Sequence, residues 1–242
     1  GLFKSDDDGQ SWQEVSGLTQ HETRPLWQPG AGGLCLHTIL FDPKNDKRMW
    51  VAMSAVGVFR TDDGGESWQV KTTGIDAIIT DENPSEVGRC VHKMVLHPND
   101  SNKLFIQYHG GVYKTENAAD EWHTIEAGLP SNFGFPMVMT HDASMYIIPL
   151  QSDEFRTSAE GHLRVFKFDE AKQTWQDSSD GLSSEGHYGG ILRDAMTVDT
   201  NDKPGVYFGT TSGEVFVRVG EEPWQRLPGT LPRILSVRVL ES

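Results

Sequence analysis

The chain has 242 residues of which 36% are apolar, enough for one sizeable core and too few for two large domains. Its 35 acidic residues against 21 Lys and Arg leave a net charge of −14 with no basic cluster, so a phosphate backbone is repelled and nucleic acid is excluded as a partner. No apolar run is long enough for a membrane-spanning helix, and 25 Gly, 12 Pro and seven Trp speak for many short strands and turns rather than a helical bundle.

The chain begins at Gly1 rather than Met and opens directly into a strand-like segment, residues 1–4; the expectation is a partial chain whose first blades, and any signal peptide, lie upstream. This strand runs into Ser5-Asp6-Asp7-Asp8-Gly9-Gln10-Ser11-Trp12, and the same words return in Thr61-Asp62-Asp63-Gly64-Gly65-Glu66-Ser67-Trp68. A third copy, residues 111–122, keeps the strand but loses the Asp and Gly. Trp12, Trp68, Trp122, Trp175 and Trp224 recur at intervals of 56, 54, 53 and 49 residues, a period that suits one four-stranded sheet.

Two more alternating segments precede each such hairpin. They are residues 35–41 and 48–54 around a turn at Asp42-Pro43, then 90–96 and 103–108 around a turn at His97-Pro98. Each repeat thus reads as antiparallel strands A to D, and four such strands repeated radially make a β-propeller. The predicted fold is all-β, about five blades forming a single propeller segment over residues 1–242.

The hairpins resemble the Asp-box of BNR repeats, Ser/Thr-x-Asp-x-Gly-x-Thr/Ser-Trp. Ser5, Asp7, Gly9, Ser11 and Trp12 match it, as do Thr61, Asp63, Gly65, Ser67 and Trp68. The expected job is structural: the Asp accepts N–H bonds inside the hairpin, Gly permits positive φ and Trp packs between sheets. Segments 28–39, 86–93, 151–156 and 231–237 extend the likeness to a prokaryotic BNR-repeat family whose members carry labels such as exo-α-sialidase, glycosyl hydrolase or photosystem II assembly factor-like. The resemblance implies the C-terminal part of a seven-bladed propeller. The hairpins before Trp122, Trp175 and Trp224 depart from the pattern, which puts their geometry in doubt.

Strands alternate in direction, so A–B turns and C–D hairpins share one propeller face while D–A connectors and B–C loops share the other. The connectors from Trp12 to Cys35 and from Trp68 to Cys90 span 23 and 22 residues. Turn-to-Trp spacing is 26 from Asp42 and 25 from His97 and Asp199, but 35 from Thr140, which places an insertion of about ten residues at 151–161. Long loops on a rigid scaffold are where binding concentrates.

Aligned on strand A, His37, His92, Phe135 and Asp194 share one position at the channel mouth. His37, His92 and Asp194 there make a candidate divalent-metal set; the competing reading, which we prefer, has the imidazoles bonded to loop carbonyls. No other cofactor is expected. Cys35 and Cys90 read as small buried fillers, and two thiols argue against a disulfide framework and for a reducing, cytoplasmic setting. Arg24, Arg89, Arg156 and Arg193 come from four units and gather near Glu86, Asp153, Glu154, His187 and Tyr188. Either they bind an anion through bidentate contacts or they brace the loops by pairing with carboxylates. The candidate ligand site is therefore His37, Glu86, Arg89, His92, Asp153, Glu154, Arg156, His187, Arg193 and Asp194.

Two functions fit. One is a binding or assembly scaffold for a small anionic or sugar-like ligand or a protein partner. The alternative is a glycoside hydrolase of the sialidase type, with Arg89, Arg156 and Arg193 on the sugar carboxylate and Tyr188 with Glu86 at the reacting carbon. The Arg-Ile-Pro segment of sialidases does not occur in this sequence. A version with Glu86 and Asp153 as acid and base depends on their separation.

Overall fold

Each repeat after the first closes a four-stranded antiparallel sheet in sequence order, and the first contributes two strands. A computed structural model describes residues 1–77, 86–183 and 185–240. Strands β1 (Phe3–Lys4) and β2 (Gln13–Glu14) form the first sheet. The second blade holds β3 (Cys35–Asp42), β4 (Asn45–Ser54), β5 (Gly57–Thr61) and β6 (Gln69–Val70), and the third β7 (Val91–His97), β8 (Asp100–Tyr108), β9 (Gly111–Thr115) and β10 (His123–Thr124). The fourth comprises β11 (Gly134–Met139), β12 (Met145–Pro149), β13 (Phe166–Asp169) and β14 (Thr174–Asp177). The fifth has β15 (Met196–Val198), β16 (Gly205–Gly209), β17 (Val215–Val219) and β18 (Gln225–Arg226). A single helical turn at Ser16–Thr19 and 3₁₀ turns at Arg24–Leu26 and Ala159–Gly161, none of them anticipated, are confined to one connector and the insertion.

The core lies between the blades. Four apolar clusters each join one sheet to the next: Leu2 with Phe59, Trp50 with Met94, Phe105 with Phe168, and Tyr146 with Phe208. Strands such as β12 are buried throughout because a neighbouring sheet covers each face, whereas the outermost β2 and β10 are exposed. A lone blade therefore has no interior of its own.

The hairpins close as their residue types dictate. Asp63 accepts hydrogen bonds from the Thr61 hydroxyl and from both the backbone N–H and hydroxyl of Ser67, and the Gly65 N–H donates to Thr61 Oγ1. Asp7 repeats the arrangement with Ser5 and Ser11. The third hairpin keeps it in spite of its sequence. Asn117 takes the Asp role toward Thr115 and Glu121, and Ala119 occupies the left-handed position at φ 75°. An amide oxygen accepts the same N–H bonds as a carboxylate, so the motif decays in sequence before it decays in geometry.

In the later blades the Trp side chain ties sheet to sheet. The indole N–H of Trp122, Trp175 and Trp224 donates to Lys71, Ile125 and Ser178 of the preceding unit. Trp12, at the open end, is 62% exposed. At the other end Ile234 is buried, and the Val237 N–H bonds to Asp194 while Ser236 pairs with Asp194 in parallel sense. Residues 234–240 thus form no strand of their own and contribute one bridge beside the fifth blade.

Candidate functional site

The inner strands begin irregularly. Register slips between Leu36 and Thr38, between Val91 and Lys93, and between Gly134 and Met137, so His37, His92 and Phe135 all fall within β-bulges. A bulge turns a side chain away from its usual face. His37 Nε2 thereby lies 2.9 Å from the carbonyl of Val91, and His92 Nδ1 2.6 Å from that of Gly134, each the first residue of the next blade's inner strand. A carbonyl only accepts, so both nitrogens carry hydrogen. Burial, reinforced by the Arg193 charge, lowers the His37 pKa to about 3, and burial lowers that of His92 to about 4. Both rings are neutral at pH 7.

Around these strand starts lies a pocket of about 500 Å³. The first long connector supplies residues 28–32, and the second supplies Val87, Gly88 and Arg89; residues 78–85 of that connector lie outside the described residues. The B–C turns contribute Ser54, Ala55 and His109, the insertion Asp153 and Arg156, the inner strands Cys35, His92 and Phe135, and the residues leading into inner strands Cys90 and Arg193. No residue of the Asp63 or Asp7 hairpins lines it, so the pocket sits on the face of connectors and B–C loops.

Of the ten expected residues, the pocket gathers Arg89, His92, Asp153, Arg156 and Arg193. Glu154 lines an adjoining hollow with Tyr188, reached past Arg156 and Phe135. The others lie elsewhere. His37 spends its second nitrogen on the Thr38 hydroxyl. Glu86 is exposed, and its carbonyl accepts from Thr72. Asp194 pairs with Lys93 at 2.9 Å and with Arg238; burial pushes its carboxyl up, but those cations hold it below the ordinary value. The candidate metal set of His37, His92 and Asp194 is accordingly not assembled, because a neighbouring blade takes the first and a lysine the last.

His187 stands between the Ser158 hydroxyl and the Glu214 carboxylate, at 3.1 and 3.0 Å, the order of a nucleophile relay. Ser158, however, is 1% exposed and its hydroxyl donates to the Gly189 carbonyl. No substrate reaches it. The trio clamps the insertion to the fifth blade.

The three arginines differ. Arg89 donates to the carbonyls of Ile75 and Val87 and holds the second connector. Arg193 donates to the His92 carbonyl and, at 2.9 Å, to Ser54 Oγ, which stitches the fifth blade to the third and second. Arg156 is 51% exposed in its side chain, pairs with Asp153 and lies over the Phe135 ring at 5.4 Å. Arg89 and Arg193 thus brace the loops, but their partners here are backbone carbonyls and a hydroxyl rather than carboxylates, while Arg156, paired with the Asp153 carboxylate, presents its guanidinium to the cavity. His109 escaped the sequence reading; its signal was its place at the turn after β8, where the preceding blade puts Ala55.

No protein-family model matches the chain. Over 154 residues it is 26% identical to the oligoxyloglucan-reducing end-specific xyloglucanase of Emericella nidulans, covering 56% of this chain and 18% of that protein. Among solved structures, an ancestral GH74 enzyme aligns with TM-score 0.58 at 21% identity over 84% of this chain and 25% of its own. The Niastella koreensis GH74 enzyme aligns at 0.54 with 18% identity over 78% and 29%. YCF48 bound to a D1 peptide aligns at 0.52 with 13% identity over 93% and 61%. Likeness at these identities establishes the fold: the chain is a β-propeller segment. It spans less than a fifth of the xyloglucanase and less than two thirds of each of these structures. Among the described residues no helix is long and apolar enough to cross a membrane.

Proposed function

We propose that residues 1–242 are one segment of a larger BNR/Asp-box repeat propeller that binds a small anionic or sugar-like ligand, or an acidic segment of a partner, in the pocket between the two long connectors and the insertion. One observation carries this reading: Arg156 and Arg193 line a cavity whose described residues include a single carboxylate, Asp153, within a protein of net charge −14. A local excess of cations in an acidic molecule is an anion trap. Arg156 is the contact residue. An incoming carboxylate takes the place of Asp153 on the planar guanidinium, and Phe135 beneath holds the fork in position.

The hydrolase reading draws support from the 26% identity to a xyloglucanase. Glycoside hydrolysis generally requires two carboxylates facing one bond, and the described lining of this pocket offers one. Tyr188, the nucleophile of a sialidase-type scheme, lines the adjoining hollow instead. Binding without chemistry is therefore the better account. Saturation-transfer NMR of the protein with glucuronate, N-acetylneuraminate and an acidic peptide tests it. Contact by at least one of these, lost in Arg156→Ala, is expected; release of reducing sugar from a sialoside or a xyloglucan oligosaccharide would instead establish the hydrolase.

A further inference from the structure

Cys90, His92 and His109 lie in one wall of the pocket, and their ligating atoms all fall within 4.8 Å of one another. The third blade builds this group by itself. The His109 N–H donates to the Cys90 carbonyl at 3.0 Å, which continues the β7–β8 ladder and sets those two side by side. The bulge at the start of β7 turns His92 toward them, and the two imidazole centroids are 5.5 Å apart.

The hydrogen bonds around the rings have the form that metal sites use. Because His92 Nδ1–H donates to the Gly134 carbonyl, its lone pair is confined to Nε2, and a carbonyl in that role orients a ligating imidazole and sets its tautomer. Asp153 Oδ2 stands 3.7 Å from His109 Nε2, longer than a hydrogen bond, on the side where a carboxylate backs a histidine that ligates a metal through Nδ1. Cys90 is a free thiol.

We propose that Cys90, His92 and His109 bind one zinc ion, with a fourth coordination position open to the pocket. One thiolate and two imidazoles suit zinc, which bonds sulfur at about 2.3 Å and nitrogen at about 2.0–2.1 Å in a tetrahedron whose ligand atoms are therefore ~3.5 Å apart. The observed spread closes to that by small rotations of Cys90 and of His109, a partly exposed side chain on a turn. The Arg156 and Arg193 guanidiniums oppose a cation; the thiolate and the Asp153 carboxylate offset them. Zinc binding by these three side chains does not depend on the anion reading, since Arg156 is not a ligand.

The test uses the full chain and the metal alone. Equilibrium dialysis against zinc chloride is expected to yield one equivalent bound, and cobalt substitution a thiolate-to-cobalt charge-transfer band. Cys90→Ser should abolish the band and His109→Ala should weaken zinc binding at least tenfold, whereas Cys35→Ser leaves both unchanged. Circular dichroism checks that each variant is folded, and His109→Ala, at a turn outside the sheets, remains decisive if Cys90→Ser is not. Well under one equivalent of zinc, a band that survives Cys90→Ser or vanishes in Cys35→Ser, or an affinity indifferent to His109→Ala would overturn the proposal.

Discussion

Asp63 and His92 are held in single protonation states by different causes, and both make the fold sensitive to acid. The Ser67 hydroxyl and N–H, with the Thr61 hydroxyl, lower the Asp63 pKa to about 2. This stabilisation is complete above the ordinary carboxylate value and is lost as pH falls through about 2. Asp63→Ala is expected to cost about 1–2 kcal/mol for the lost hydrogen bonds, read as a lower urea midpoint, and to leave ligand and zinc binding intact because the hairpin is on the opposite face. His37 and His92 act in a higher window. Burial first, then nearby cations for His37, depress their folded pKa values to about 3 and 4, below the ordinary value near 6.5. Between pH 6.5 and 4 the unfolded chain thus binds more protons, and stability must fall with pH across that range. Thermal melts at pH 7, 6, 5 and 4 should show this decline, and His37→Gln should make it shallower; a wild-type melting temperature independent of pH over this window contradicts the assignment of neutral, buried rings.

The recurring join between blades depends on a glycine as much as on the tryptophan. Gly74, Gly128 and Gly181 each follow the preceding repeat's Trp by six residues, and each has φ near +90°. A Cβ there would lie 2.2, 2.2 and 2.4 Å from the carbonyl oxygens of Trp122, Trp175 and Trp224 in the next blade. The residue before each glycine, Thr73, Ala127 or Asp180, accepts the N–H of that same Trp. Gly128→Ala therefore meets both a left-handed backbone and an immovable carbonyl. A loss of roughly 3 kcal/mol is expected, with near-ultraviolet dichroism reporting the disturbed Trp175; an unchanged melt would show that the blades can separate at this joint without cost.

Across the whole molecule stability belongs to the interfaces between sheets, so a residue linking three blades matters more than one on a loop. Arg193 binds Ser54 and the His92 carbonyl from the fifth blade, whereas Arg156 makes an exposed pair with Asp153 inside the insertion. Arg193→Ala should lower unfolding stability by about 1–3 kcal/mol, since it leaves buried acceptors unpaired, and Arg156→Ala should change it by no more than ~0.5 kcal/mol. Urea unfolding of the two variants separates the roles. Replacing Arg156 and Arg193 together by Ala consequently cannot serve as a pure binding knockout.

The strands, the blade boundaries, the hairpins and the pocket-bearing face were legible because each rests on local pattern. The Trp period, the Asp63 and Asp7 hairpins and the insertion at 151–161 all declare themselves within a few residues of chain. Gly74, Gly128 and Gly181 recur in the sequence at the same spacing after their Trp, but their constraint comes from a carbonyl about fifty residues away. Side-chain partnership was another matter. His37 and His92 were placed at equivalent positions, but bulges in β3 and β7 aimed them at neighbouring backbone. Asp194 met Lys93, 101 residues distant, and Arg193 met Ser54, 139 residues distant. Local periodicity specifies which residues form a strand and which face they share. Which side chains meet at the channel mouth depends on strand register, bulge position and the angle between successive sheets, and those are decided only when the apolar faces of adjacent blades pack together.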